Sequence, residues 1–143
     1  MALLLRPAGD RPVRSSFENK LSRYYPALFP VTGRAGTDAR IVRIRCGAGW
    51  FLLVETLCGE MQKLVDDRDL PQVTIVEIKE KFGLMRVGCQ SVSQPVRALI
   101  ETAQHASGRV CEACGAIGIT QRTKHGWIKT LCVLCAAAVP IRV

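Results

Sequence analysis

Two C-x-x-C pairs, Cys111-Glu112-Ala113-Cys114 and Cys132-Val133-Leu134-Cys135, constrain this chain more than anything else in it. Such a turn brings two sulfurs to one side, where both reach the same ion. A single pair is ambiguous between redox chemistry and metal binding. Two pairs with seventeen residues between them specify a closed cage of four thiolates around one tetrahedral zinc. Disulfides suit secreted chains, and nothing here reads as secreted. With all four positions filled by sulfur, no site stays open for water, so the zinc is expected to be structural rather than a Lewis acid.

The residues between the pairs read as strand, turn, strand: 117–123, then Lys124-His125-Gly126, then 127–131. Gly115 follows the first pair, where a tight turn needs a residue without Cβ. The second pair runs into a short alanine-rich helix that Pro140 stops. A knuckle, a hairpin and a helix carrying the last two ligands resemble the treble-clef class of zinc fingers. A module this small needs an aromatic plug, which is the favoured reading of Trp127. The other reading puts Trp127 on the surface beside Arg122, Lys124, His125 and Lys129, a set able to contact phosphates and stack on a base or a protein side chain. His125 sits at the hairpin tip and reads as facing solvent or a partner before it reads as a ligand.

Seven cysteines are an odd number. Cys46, Cys58 and Cys89 remain after the zinc set, each among apolar residues, and read as small buried hydrophobes of a reducing cytoplasm. The apolar start, Met1 to Leu5, is too short for a signal peptide, and its charge follows rather than precedes it. No apolar run approaches a membrane span. The net charge of +8 is uneven. Residues 1–45 hold nine basic and three acidic groups, 46–108 six and eight, and 109–143 five and one. Basic ends around a neutral middle attract nucleic-acid phosphates or an acidic protein face, although such charge also serves solubility alone.

The pass along the chain gives an α+β protein in three parts: an N-terminal helix and irregular arm over 1–40, a core over 41–108, and the zinc module over 109–143. Ser15-x-x-Glu18 has the form of a capping box opening a helix through Phe17, Leu21 and Tyr24, with Pro7 and Pro12 as breakers before it. Residues 41–46 alternate as a strand, placing Val42, Ile44 and Cys46 on one face and Arg43 and Arg45 on the other. Gly47 and Gly49 make a tight turn. A helix follows, with Trp50, Leu53, Val54, Leu57, Cys58, Met61, Leu64 and Val65 on one face. Asp66, Asp67 and Asp69 are assigned to the loop beyond it, since acids are unfavourable at a helix C-terminus. Residues 73–79 and 84–89 form a hairpin about Lys81-Phe82-Gly83. Ser93 caps a third helix, with Pro95 in its first turn and Val96, Leu99, Ile100 and Ala103 buried. The expected core is a small antiparallel sheet packed on amphipathic helices, without βαβ content.

Three stretches carry a resemblance. Cys46-Gly47-Ala48-Gly49-Trp50 leading a helix, Val76 to Arg86 around Lys81-Phe82-Gly83, and the first C-x-x-C with Gly126-Trp127-Ile128-Lys129-Thr130-Leu131-Cys132 are similar, in that order, to signatures of small bacterial and phage proteins. The match covers 46–135, with Leu84 where the family's turn has a second glycine. The resemblance implies a cytoplasmic protein of phage or prophage type.

The function expected is that of a non-enzymatic zinc-binding protein that takes a macromolecular partner on basic surfaces. Arg122, Lys124, His125 and Lys129 are the first contact set, Arg43 and Arg45 the second. The partner is a host protein or defence complex, regulated or inhibited by this chain, or a nucleic acid. An alternative is a Mg-dependent nuclease. Glu77 and Lys79 share a face of a strand, with Asp67 or Asp69 upstream, in an acid … Glu-x-Lys arrangement in which two carboxylates hold Mg²⁺. The motif is short and common by chance. No Gly-rich phosphate loop appears, and His105 and His125 are too isolated for a nucleophile–base pair.

Overall fold

The computed structural model describes residues 10–30 and 43–138. The expected strand start at Ile41 and Val42, the Pro140 stop and the N-terminal nine residues lie outside them.

The first helix, α1 (Asp10–Tyr24), starts earlier than the capping-box pattern suggests, so Ser15 lies inside the helix. Pro12 does not break it. In a first turn, proline removes only an N–H that has no partner in the helix anyway. Phe17 and Leu21 are buried. The Phe17 ring stacks on Phe51 with centroids 4.0 Å apart, and Lys20 pairs with Glu55 at 3.1 Å. Leu28 and Phe29 beyond α1 also enter the core, and the Leu28 carbonyl accepts the Ile75 N–H at 2.8 Å.

The short strand β1 (Arg43–Arg45) buries Ile44 and exposes both arginines, as alternation predicts. A 3₁₀ turn at Ala48–Trp50 leads into α2 (Phe51–Asp67). Its buried stripe is Val54, Leu57, Cys58, Met61 and Val65, with Trp50 just before it. Asp66 and Asp67 are helical rather than in the loop. Neighbours one turn back offset their unfavourable place against the dipole: Lys63 pairs with Asp67 at 2.7 Å, and Gln62 donates to Asp66 at 2.9 Å. Asp69 takes φ +50, and the Leu70 N–H donates to the Val65 carbonyl at 3.0 Å, a Schellman-type end.

The strands β2 (Thr74–Lys81) and β3 (Leu84–Gln90) form the expected antiparallel hairpin. The sheet as a whole, in order β1-β2-β3, is not antiparallel: β1 runs parallel to β2, pairing Arg43 with Glu77 and Arg45 with Lys79. A parallel neighbour needs a crossover, and α2 supplies it, so β1-α2-β2 is a βαβ unit that the sequence reading missed. The register shifts between Ile75 and Glu77, a bulge at Val76. It lets Ile75 and Ile78, three residues apart, both point into the core.

The third helix, α3 (Gln94–Ser107), follows Ser93, which sits in extended backbone but makes no side-chain capping bond. Val96, Ile100 and Ala103 are buried and Leu99 is half-buried. Its last turn covers the free edge of β3. Ser107 Oγ accepts the Met85 N–H at 2.8 Å, and Gln104 Oε1 accepts the Val87 N–H at 3.0 Å. These two polar side chains satisfy backbone donors that an open edge would present to another chain. Among the described residues no helix is long and apolar enough to cross a membrane.

Candidate metal centre and the socket that holds it

Past α3, Val110 bridges to Ile117, and the chain forms the hairpin β4 (Ile119–Arg122) and β5 (Ile128–Leu131), then α4 (Val133–Ala138). The first C-x-x-C lies in the knuckle before the hairpin. It is closed by Cys111 N–H to Ala116 O at 2.7 Å and Gly115 N–H to Cys111 O at 2.9 Å. The second begins just before α4, where the Cys135 N–H donates to Cys132 Sγ at 3.3 Å.

The four sulfurs of Cys111, Cys114, Cys132 and Cys135 lie within 4.8 Å of one another and can hold a metal ion. Sγ of Cys114 and Sγ of Cys132 are 3.7 Å apart. Zinc–sulfur bonds of about 2.3 Å in a tetrahedron put sulfurs about 3.8 Å apart. Burial pushes the Cys111 thiol up, but the N–H groups of Cys132, Cys114 and Ala113 outweigh it and hold its pKa at about 6. Hydrogen bonds with the Cys132, Cys114 and Cys111 thiols push Cys135 up to about 12. Amide donors aimed at sulfur favour the thiolate a metal requires. The other cysteines behave differently. Cys46 and Cys58 are buried and Cys89 half-buried. Burial pushes Cys58 up to about 12 and Cys89 to about 11, so both are protonated packing groups at neutral pH.

The knuckle is seated in a socket made by the core, and Glu112 ties the two together. Its N–H donates to Thr130 O at 3.0 Å and its carbonyl accepts the Gly49 N–H at 2.8 Å. Its carboxylate accepts the Gly47 N–H at 2.9 Å. Beside it, Trp50 Nε1 donates to the Val110 carbonyl at 2.7 Å. Gly47 and Gly49 therefore do more than turn the chain. A Cβ at Gly49 would fall 2.1 Å from the Cys111 carbonyl oxygen, and one at Gly47 2.4 Å from that of Glu112. Only glycine admits the knuckle backbone so close.

A second contact joins the β2–β3 tip to the hairpin. Phe82 and Gly83 both have positive φ, +53 and +82, the conformation of a two-residue type I′ turn. A Cβ at Gly83 would lie 2.9 Å from Thr120 Cγ2. Thr130, fully buried, donates to the Gly83 carbonyl at 2.5 Å and lies 2.7 Å from the Thr120 hydroxyl. Three stretches thus meet at one interface: 46–50 as socket, 80–83 as tip, and 111–130 as the module seated on both.

This geometry reassigns part of the expected contact set. Lys129 bonds to Glu80 at 2.8 Å and faces Glu112 at 3.6 Å, with both carboxylates nearly buried. It is a half-buried tie between the two units. Burial pulls its amine down, but the Glu80 hydrogen bond and the two carboxylates more than compensate, leaving its pKa above the ordinary lysine value. Arg122 and Lys124 are exposed and His125 is half-buried, its ring 6.0 Å from that of Trp127. The Arg122 guanidinium braces the turn by donating to Gly126 O at 2.8 Å. Trp127 is 56% exposed, so it is not the plug of the module; Cys111, Gly118, Thr130 and Leu131 are its buried residues.

Arg43 and Arg45 share the exposed sheet face with Glu77, Lys79 and Arg86, by register. The Glu77 carboxylate pairs with Lys79 at 3.5 Å. Among the described residues, the only group of three or more His, Cys, Asp or Glu able to hold a metal is the four cysteines. No protein-family model, curated protein or solved structure matched this chain when each was searched.

Gly49→Ala is expected to lower unfolding stability by about 1–3 kcal/mol, the usual cost of forcing extra volume into a packed contact. The measurement is urea denaturation of metal-loaded protein, with Ala48→Gly as the control for backbone freedom.

The raised pKa of Lys129 fixes a sign. Its contribution is full below the ordinary lysine value of 10.5 and is lost as pH rises through the higher folded value. Lys129→Met should therefore be less stable than the native chain at pH 8, and the gap should close as pH climbs past the lysine range.

Proposed function

We propose that this protein is a zinc-stapled binding module, and that its partner is a nucleic acid taken on the open face of the three-stranded sheet. Zinc is the reading favoured by four thiol ligands with near-tetrahedral sulfur spacing. Knuckle, hairpin and following helix match the treble-clef order. Closed by sulfur, such a site holds structure and leaves no position for substrate.

The observation that carries the partner is the charge of the sheet face. Among the described residues it presents Arg43, Arg45, Lys79 and Arg86 against one carboxylate, Glu77. The partnership of Glu77 with Lys79 neutralises that pair locally and leaves three arginines. Arginine presents a planar fork of donors that matches phosphate oxygens in pairs. A rigid sheet fixes where these forks stand relative to one another.

A protein partner is the second reading. It is favoured by apolar side chains exposed on the zinc module: Ile117 at 88%, Ile119 at 65%, Val133 at 79% and Leu134 at 81%. A host protein with an apolar patch would cover these, and the phage-type resemblance fits that role.

The test is a salt titration of binding to duplex and single-stranded DNA. Each phosphate contact removed should reduce the slope of log affinity against log salt by about 0.7 for single strands and about 0.9 for duplex. Arg43→Ala, Arg45→Ala and Arg86→Ala should each do so. Affinity that does not fall with salt would shift the assignment to the protein partner.

A further inference from the structure

We infer that the groove between Phe82 and Trp127 is a base-stacking subsite, which makes single-stranded nucleic acid the form that this protein holds. The inference rests on the nucleic-acid reading of the sheet face and extends it to a second, chemically different site.

The groove has a volume of about 540 Å³ and lies between the β2–β3 tip and the zinc hairpin. Phe82 and Trp127 line it with Ile128, and Lys81 and Arg122 bring positive charge. Glu80 and Lys129, also lining it, neutralise each other. Both aromatic rings are largely exposed, Phe82 at 66% and Trp127 at 56%. A chain of this size has every reason to bury such side chains, and its other tryptophan, Trp50, is fully buried.

The backbone beneath each ring is fixed. Phe82 stands at φ +53, a conformation that a bulky side chain adopts only under constraint. The constraint is visible: the Gly83 carbonyl is gripped by the Thr130 hydroxyl, and Thr120 leaves no room for a Cβ at Gly83. Asparagine or aspartate would fit that turn position without strain, and phenylalanine does not. Backbone strain retained under a surface aromatic points to a role for the ring outside the fold. Trp127 is fixed by the hairpin turn, with Thr123 N–H donating to Trp127 O at 2.7 Å and Trp127 N–H donating to Thr123 Oγ1 at 3.2 Å.

Two aromatic side chains lining one groove, with cations beside them, suit a planar, electron-rich ring attached to a phosphate. Bases in a duplex are already stacked on one another and cannot enter. A single strand offers them freely, and stacking on aromatic side chains is tolerant of sequence. Lys81 joins the two sites. Its ammonium lies 5.8 Å from the Phe82 ring, and it is two residues beyond Lys79 on the same strand. Phosphates leaving the groove past Lys81 would meet Lys79 and Arg86, which are paired across β2 and β3.

The experiment titrates zinc-loaded full-length protein with a thymidine 12-mer, with an abasic 12-mer of the same phosphate backbone, and with a duplex. Trp127 fluorescence and anisotropy of labelled DNA are both followed. The thymidine strand should bind at least roughly tenfold tighter than the abasic strand, the scale of a single stacked base, and should quench tryptophan. Trp127→Ala and Phe82→Ala should each remove most of that advantage and leave the salt slope unchanged, while Trp127→Phe should restore part of it. Both side chains are exposed, so these variants are expected to keep the native unfolding transition. Equal affinity for the thymidine and abasic strands, with a steep salt slope, would overturn the stacking subsite and leave the basic face standing. Absence of binding to all three would overturn both.

Discussion

The docking of the metal knuckle on the core hangs on Glu112. This residue is an unspecified position of a C-x-x-C motif, yet its carbonyl and carboxylate both bond across the interface, while its N–H ties the knuckle to β5. Its carboxylate is nearly buried, which is costly unless donors meet it. The Gly47 N–H and the Lys129 ammonium do so. Glycines at 47 and 49 are the steric condition for that approach, and Trp50 adds a bond to Val110 from the same turn. The cysteines hold the knuckle in shape, and Glu112 carries that shape into the core. A metal held by the four cysteines would therefore couple the shape of the knuckle to the core.

The same interface sets the surface. Because Thr130 and Thr120 hold the tip at Gly83, Phe82 is turned outward in a strained conformation. Because Lys129 is spent on Glu80 and Glu112, the cations left on the hairpin side are Lys81, Arg122 and Lys124. The exposed arginines of the sheet follow from β1 lying parallel beside β2, which aligns Arg43 and Arg45 with Glu77 and Lys79. The arginine face belongs to the core sheet alone, whereas the groove between Phe82 and Trp127 exists only because the two units lock together.

Much of this was legible in the chain. Four thiols at that spacing, apolar stripes at helical period and β-branched runs name the metal ligands, α2, α3 and the hairpins directly. What the sequence hid was relational. A strand of three residues does not declare its neighbour, so the parallel β1–β2 pair and its βαβ crossover could not be read from alternation. Gly47 and Gly49 looked like turn residues because the backbone that needs their missing Cβ atoms lies more than sixty positions away. Lys129 looked like surface charge for the same reason: its carboxylate partners are Glu80, from another element, and Glu112, from the knuckle. Trp127 has the composition of a plug, but the module builds no core around it. Pro12 carries no sign of its place in α1, since a proline in a first turn and a proline that breaks a helix are the same letter.

The most direct test of this coupling is amide hydrogen exchange at Gly47 and Gly49, followed with zinc bound and after chelation. Both N–H groups donate to Glu112. If the metal holds the knuckle and the knuckle holds the core, chelation will strip protection from both amides together, along with that of Gly118 in the module. Protection at Gly47 and Gly49 that survives complete removal of the metal would contradict the account, because the socket would then be filled without the staple.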